Sequence, residues 1–294
     1  MRVLKATGFG GNARPLPARV ARRSSRLTKR ARILPSFLII GAQRAGTTSF
    51  FSNLCEHPQV ARPIEKELHF FNYDYWRGVD WYRSFFPTTA AQRLARLAGS
   101  DLVGAEATPY YLYHPAVPRR VAETIPDVKL VVLLRNPVNR AYSHYQKMRR
   151  MGFEWLSFEK ALAVEDKRLS GAEELLIADP RYRNQHHRRH SYFARGIYVD
   201  QLARWHAYFP RNQFLVLMAE DFFTRPAEIY AQTLDFLGLA QHPWADRRAG
   251  TPPAYEPLDP ALRASLEQRY LEPNARLARL LGRNVWGSPA TSAA

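Results

Sequence analysis

One stretch constrains the fold more than any other: five residues, Ser36 to Ile40 (SFLII), run straight into Gly41-Ala42-Gln43-Arg44-Ala45-Gly46 and then into a helical pattern from Thr47 to about Cys55, stopped by His57-Pro58. A short apolar run bounded by glycine reads as a buried strand, and a strand that feeds a helix through a tight loop belongs to a parallel sheet. The rest of the chain repeats that alternation. Strands are expected at Leu102 to Ala105, Lys129 to Leu134 (KLVVLL) and Gln213 to Met218 (QFLVLM). Helices are expected at Pro118 to Ile125, from Pro137 to about Arg150, and at Ser157 to Val164, Tyr198 to Phe209, Pro226 to Leu237 and Pro260 to Leu281. Lys167 to Arg195 is polar with little periodicity and reads as a long loop. The expected architecture is α/β: a P-loop-like central parallel sheet flanked by helices, in a single domain.

Charge divides the chain. Of 43 Lys and Arg in 294 residues, ten fall within the first 35, a segment without an acid. Its glycines, prolines and serines and its few large apolar residues leave too little surface to bury against the entropy of ordering. Residues 1–34 are therefore expected to be a disordered basic tail, and 35–294 the domain. The tail is open to three readings: a solvated segment, contact with an anionic membrane or nucleic acid, or an Arg-rich transit sequence. A single cysteine, Cys55, permits no intrachain disulfide, and no apolar run nears the roughly 18 residues of a membrane span. No transmembrane segment is expected, and the location expected is cytoplasmic, with peripheral membrane contact left open.

Gly41 to Thr48 keeps the two glycines of G-x-x-x-x-G-K-[ST] but has Thr47 in the lysine position. Backbone amides at a helix N-terminus, with the Thr47 and Thr48 hydroxyls, still suit an oxyanion. The cation that would reach terminal phosphates of a triphosphate is replaced by Arg44 inside the loop.

Together with two further segments, this loop resembles the 5′-phosphosulfate loop of sulfotransferases that use 3′-phosphoadenosine 5′-phosphosulfate (PAPS), and most of all the heparan sulfate type. Arg44, Ala45, Gly46, Thr47 and Thr48 match the family's loop, and VVLLRNPVNRAYSHY its second signature. By that resemblance Arg135 and Ser143 hold the 3′-phosphate. The third signature is Glu65-Lys66-Glu67-Leu68-His69-Phe70-Phe71, followed by GVDWYRSFFP from Gly78; the resemblance makes Glu67 the general base, with His69 as second candidate. RGIY at Arg195 and FLGL at Phe236 add to the match. The implied reaction is in-line transfer of a sulfuryl group from PAPS to a hydroxyl or amine of a carbohydrate-like acceptor, with no metal.

The chain departs from the family in three places. Arg44 stands where the heparan-modifying members usually have lysine. An arginine neutralises charge but gives up a proton poorly, so its expected role is electrostatic. The family's disulfide-closed hairpin over the nucleotide has no counterpart, and Arg247, Arg248 and Gly250 are offered as a reduced lid. Glu106-Ala107-Thr108-Pro109 lacks the lysine that some members carry there.

Arg181 to Arg195 holds five arginines and three histidines and no acid. It reads either as an anion-attracting rim or as a solvated loop, and a metal site at His186, His187 and His190 is not expected. Tyr110, Tyr111 and Tyr113 read as a sugar platform or as packing. Two other functions remain: a nucleotide-dependent kinase, disfavoured by Thr47, and a basic nucleic-acid-binding module, which accounts for the tail but not for Arg44 to Thr48.

Overall fold

The computed structural model describes residues 31–246 and 255–286. The expected disorder of the tail and the lid at Arg247, Arg248 and Gly250 fall outside them, apart from residues 31–34. Arg32 bridges to Thr88, and Ile33 is buried with its amide donating to the Pro87 carbonyl at 3.0 Å.

Five strands form one parallel sheet: β1 (Pro35–Gly41), β2 (Val60–Ala61), β3 (Val103–Ala107), β4 (Lys129–Leu134) and β5 (Phe214–Met218), in the order β2-β3-β1-β4-β5. β1 and β4 lie side by side inside the sheet and are apolar and almost wholly buried, as burial on both faces demands, whereas the equally apolar β5 lies at the edge and is only half-buried. In β4 every residue after Lys129 is buried. The connection from β3 to β4 passes β1, so the strand order reverses there. The loops that leave β1 and β4 thus frame the crevice in which open α/β sheets take ligands.

The helices Pro137–Arg150, Pro226–Leu237 and Pro260–Leu281 each begin with proline at the first helical position, where its missing N–H costs nothing. Two expectations need correction. The sequence pointed to four strands, but the two residues of β2 add a fifth, too short to leave a periodic signal. Lys167 to Arg195 is not a long loop: it contains the helices Ala172–Ala178 and Gln185–Arg189, preceded by Glu165–Leu169. Helices of five to seven residues cannot develop an amphipathic period, and these are fixed by tertiary bonds. The buried Glu165 carboxylate accepts the amides of Tyr192 and Phe193 on one oxygen and of Ala194 on the other, at 2.8 to 2.9 Å.

Candidate active site

After β1 the chain turns sharply. Arg44 and Gly46 both take positive φ, 75° and 86°, and a Cβ on Gly46 would lie 2.8 Å from Cε1 of Phe223. Only glycine meets both demands. Ala45 is fully buried, which pins the loop to the sheet and presents the first amides of the helix Thr47–Leu54 to the cavity. That first turn contains no acid, so its dipole is left for an anion.

The second motif closes onto the first. Asn136 caps the helix Pro137–Arg150, accepting from the amides of Val138 and Asn139 at 3.1 Å. Arg135, at the end of β4, donates from Nη1 to the Arg44 carbonyl at 2.9 Å, and its own carbonyl accepts from the Tyr198 hydroxyl at 2.8 Å. Ser143 is buried two turns along the helix, where its Oγ accepts from Nε of Arg44 at 3.0 Å. Burial and the neighbouring Arg135 both lower the Arg44 pKa. The repulsion between these cations would be relieved by an anion lying between them.

The third motif lies opposite. Glu67 and His69 also have positive φ, 53° and 54°. Oε2 of Glu67 is 3.6 Å from Nε2 of His69 and Oε1 is 3.8 Å from Nζ of Lys66, while Lys66 reaches across to Oγ1 of Thr48 at 2.5 Å. Nδ1 of His69 pairs with Oδ1 of Asn72 at 3.2 Å, which turns Nε2 toward Glu67. Burial lowers the His69 pKa, with Glu67 opposing the shift. The Glu67 side chain keeps 40% of its surface exposed.

These segments line one cavity of about 880 Å³ at the carboxyl ends of β1, β3 and β4. Arg44, Gly46, Thr47, Thr48, Glu67, His69, Arg135 and Ser143 all face it, and Ala45 supports it from beneath. The four non-glycine residues with positive φ among the described residues, Arg44, Glu67, His69 and Asp246, all line it. Unfavourable backbone concentrated at one cavity is a mark of a functional site.

Sequence reasoning left some of its walls unassigned and others, Arg188 and Arg189 among them, open between a rim and a solvated loop. Lys147, one turn beyond Ser143, was legible from helical spacing alone; burial and Arg44 lower its pKa. Arg188 and Arg189 also line the cavity, whereas Arg195 is buried beneath it. Arg195 donates to the Gln43 side chain and to the carbonyls of His187 and Arg188, so it ties the phosphate loop to the helix Gln185–Arg189. The arginine-rich stretch is thus part cavity wall and part strut. An apolar wall of Phe222, Phe223, Trp244 and Tyr255 comes from distant segments with no shared motif. Of the three tyrosines only Tyr110 reaches the cavity; Tyr111 and Tyr113 are packed in the interior. Among the described residues no group of His, Cys, Asp and Glu is arranged to hold a metal ion.

A parallel sheet with a glycine-bearing loop, a helix N-terminus and the cations Arg44, Arg135 and Lys147 around one cavity at its carboxyl edge makes a site suited to a polyanionic ligand. The chain belongs to the sulfotransferase family: the family model described as a sulfotransferase domain matches residues 34–247. Members of that family use PAPS as the sulfuryl donor.

Among curated proteins, the chain is 25% identical to the membrane-associated sulfotransferase kil1 of Dictyostelium discoideum, over 85% of this chain and 66% of that protein. It is 32% identical to human heparan sulfate glucosamine 3-O-sulfotransferase 6, over 71% of this chain and 53% of that one. The matches thus leave a third or more of each relative's length uncovered. Among solved structures, a sulfotransferase from Alicyclobacillus acidocaldarius superposes with a TM-score of 0.63 at 29% identity, covering 86% of this chain and 98% of that one.

Proposed function

We propose that this protein transfers a sulfuryl group from PAPS to a hydroxyl or amine of a carbohydrate-like acceptor, with Glu67 as general base. The observation that carries the reading is the convergence of three separate motifs, around Arg44, Glu67 and Arg135, on one cavity. The donor set suits PAPS: helix N-terminal amides and the Thr47 and Thr48 hydroxyls for a phosphosulfate, Arg135 and Ser143 for a second phosphate, and an apolar wall for a base. When bound, PAPS supplies a sulfuryl group activated by its anhydride to phosphate.

The protein does the rest. Glu67 takes the proton of the acceptor as its oxygen or nitrogen attacks in line. Its exposure on the cavity side leaves it open to an incoming acceptor, and His69 orients it. Arg44, fixed by Ser143, meets the negative charge that builds on the departing phosphate. That most of the rate enhancement comes from preorganised charge follows the logic of phosphoryl transfer. The carbohydrate assignment is supported by the likeness to heparan sulfate glucosamine 3-O-sulfotransferase 6. Residues 1–34 are proposed as a basic tail, of which residues 31–34 pack onto the catalytic domain, and the cytoplasm as the protein's location; no described helix is long and apolar enough to cross a membrane.

Thermal denaturation tests the donor site first. 3′-Phosphoadenosine 5′-phosphate at about 100 times its Kd should stabilise the fold by roughly 2.7 kcal/mol, a rise in Tm of about 5 °C or more. AMP should do far less. A rise with ATP and Mg²⁺ alone would favour a kinase instead, and no rise with any nucleotide would remove the support for the donor site.

A further inference from the structure

The mouth of the cavity carries an exposed surface to which the transfer reaction, as proposed above, gives no role. The helix Pro137–Arg150 ends in two exposed arginines, Arg149 and Arg150, and the chain continues through Met151, Gly152, Phe153 and Glu154 to Trp155. Met151 lines the cavity and is 51% exposed, and Trp155 is 80% exposed. An indole that open beside a catalytic cavity is an anomaly in a chain that buries Trp205 completely.

The segment is built to hold that presentation. Glu154 is buried, and its carboxylate accepts from the amides of Trp155 and Leu156 at 3.1 Å, from both Nη atoms of Arg168 at 2.6 and 3.2 Å, and from the Tyr192 hydroxyl at 3.0 Å. Gly152 turns the chain with φ 70°, and the Arg149 guanidinium donates to the Trp155 carbonyl at 3.3 Å. With the backbone fixed from inside, Met151 and Trp155 stay on the outer face of the turn. The one acid between residues 149 and 155 is Glu154, turned inward and neutralised by Arg168, so the outward face is cationic and apolar together. On the cavity side Arg189 adds a further cation, its guanidinium 3.6 Å from the centre of the Phe153 ring.

We propose that Arg149, Arg150, Met151 and Trp155 dock on an anionic phospholipid bilayer and hold the mouth of the cavity against it. The chemistry is complementary: arginines meet lipid phosphates, and an indole with a thioether beside it suits the boundary between headgroups and acyl chains. A protruding cationic rim, unlike a groove, fits a deformable surface. The docking is independent of the transfer reaction, since vesicle binding needs no donor.

The test uses the full chain with Cys55→Ser, carrying either Trp155→Cys or, as a control, Leu94→Cys on the exposed helix Thr89–Leu97, each labelled with a nitrobenzoxadiazole fluorophore. On mixed phosphatidylcholine and phosphatidylglycerol vesicles the label at 155 should shift to the blue and be quenched by brominated acyl chains, while the label at 94 stays in water. Phosphatidylcholine alone should give no shift. In sedimentation of the otherwise unaltered chain, Arg149→Glu with Arg150→Glu should weaken partition to the mixed vesicles by about tenfold or more. The proposal is overturned if the protein pellets while the label at 155 remains in water, which would place binding in the basic N-terminal segment. It is equally overturned if the charge-reversed variant loses retention on a heparin column but not on vesicles, which would make the rim a polyanion site.

Discussion

Two glutamates lie near the cavity and could hardly differ more. Glu67 sits on a strained turn with 40% of its side chain exposed, flanked by Lys66 and His69. Glu106, at the end of β3, is 1% exposed and accepts from the hydroxyls of Tyr82, Tyr111 and Thr108, the last two at 2.7 Å. Burial raises its pKa against the pull of those three donors. A carboxylate whose lone pairs are taken by fixed hydroxyls cannot take a proton from a substrate, whereas one that faces an open cavity can. Proximity to the site does not assign a role; what the oxygens already touch does.

The sharpest way to break the comparison is to neutralise each carboxylate without changing its shape. Glu67→Gln should lower kcat by about 10³-fold, with Tm and binding of 3′-phosphoadenosine 5′-phosphate as in the wild type. Preserved turnover would remove Glu67 as base. Arg44→Ala comes next, with an expected loss of about 10²-fold in kcat. Turnover within a fewfold of wild type would show that the cation is dispensable. Glu106→Gln should act on the fold instead, since an amide cannot accept from three hydroxyls. The expected cost is about 2–3 kcal/mol, a fall in Tm of several degrees. Turnover per folded molecule should fall much less than in Glu67→Gln. If Glu106→Gln left Tm unchanged and abolished turnover, the two roles would be reversed.

The part of the site built by the loops after β1 and β4 was legible because its physics is local. A strand, a tight loop and a helix N-terminus follow one another within Ser36 to Cys55, and Arg135, Asn136 and Pro137 mark a strand end and a helix start in three residues. The wall contributed by the stretch from 165 to 195 was legible only as one of two open readings, an anion-attracting rim or a solvated loop. Arg188 and Arg189 reach the cavity only because Arg195 and the Glu165 carboxylate fold the stretch from 165 to 195 back under it. The Glu165 bonds span some thirty residues and the bond from Arg195 to Gln43 spans 152, and nothing in the local pattern announces them. The apolar wall of Phe222, Phe223 and Trp244 illustrates the same point: aromatic residues carry no sign of which cavity they will line.

The histidines extend the contrast between open and buried groups, and they set the smallest effect. His144 and His114 are both almost fully enclosed, and burial holds each imidazole well below its ordinary 6.5. Arg195 and Arg140 press the His144 shift further, and His187 and Arg120 that of His114. Between the folded and unfolded pKa values the unfolded chain binds more protons, so stability must rise with pH through that window and be lost as pH falls below about 6.5. Each group lost in this way costs at most about 1.4 kcal/mol per pH unit. A Tm series descending from pH 7.5 should therefore be flat to about 6.5 and then decline, by roughly a few degrees over the first unit. Replacing His144 with Gln should flatten part of that decline, since a side chain that takes up no proton leaves nothing for acid to titrate. A series in the wild type that stayed level to pH 5 would mean that these imidazoles keep ordinary pKa values, and with them a path to water that their burial denies.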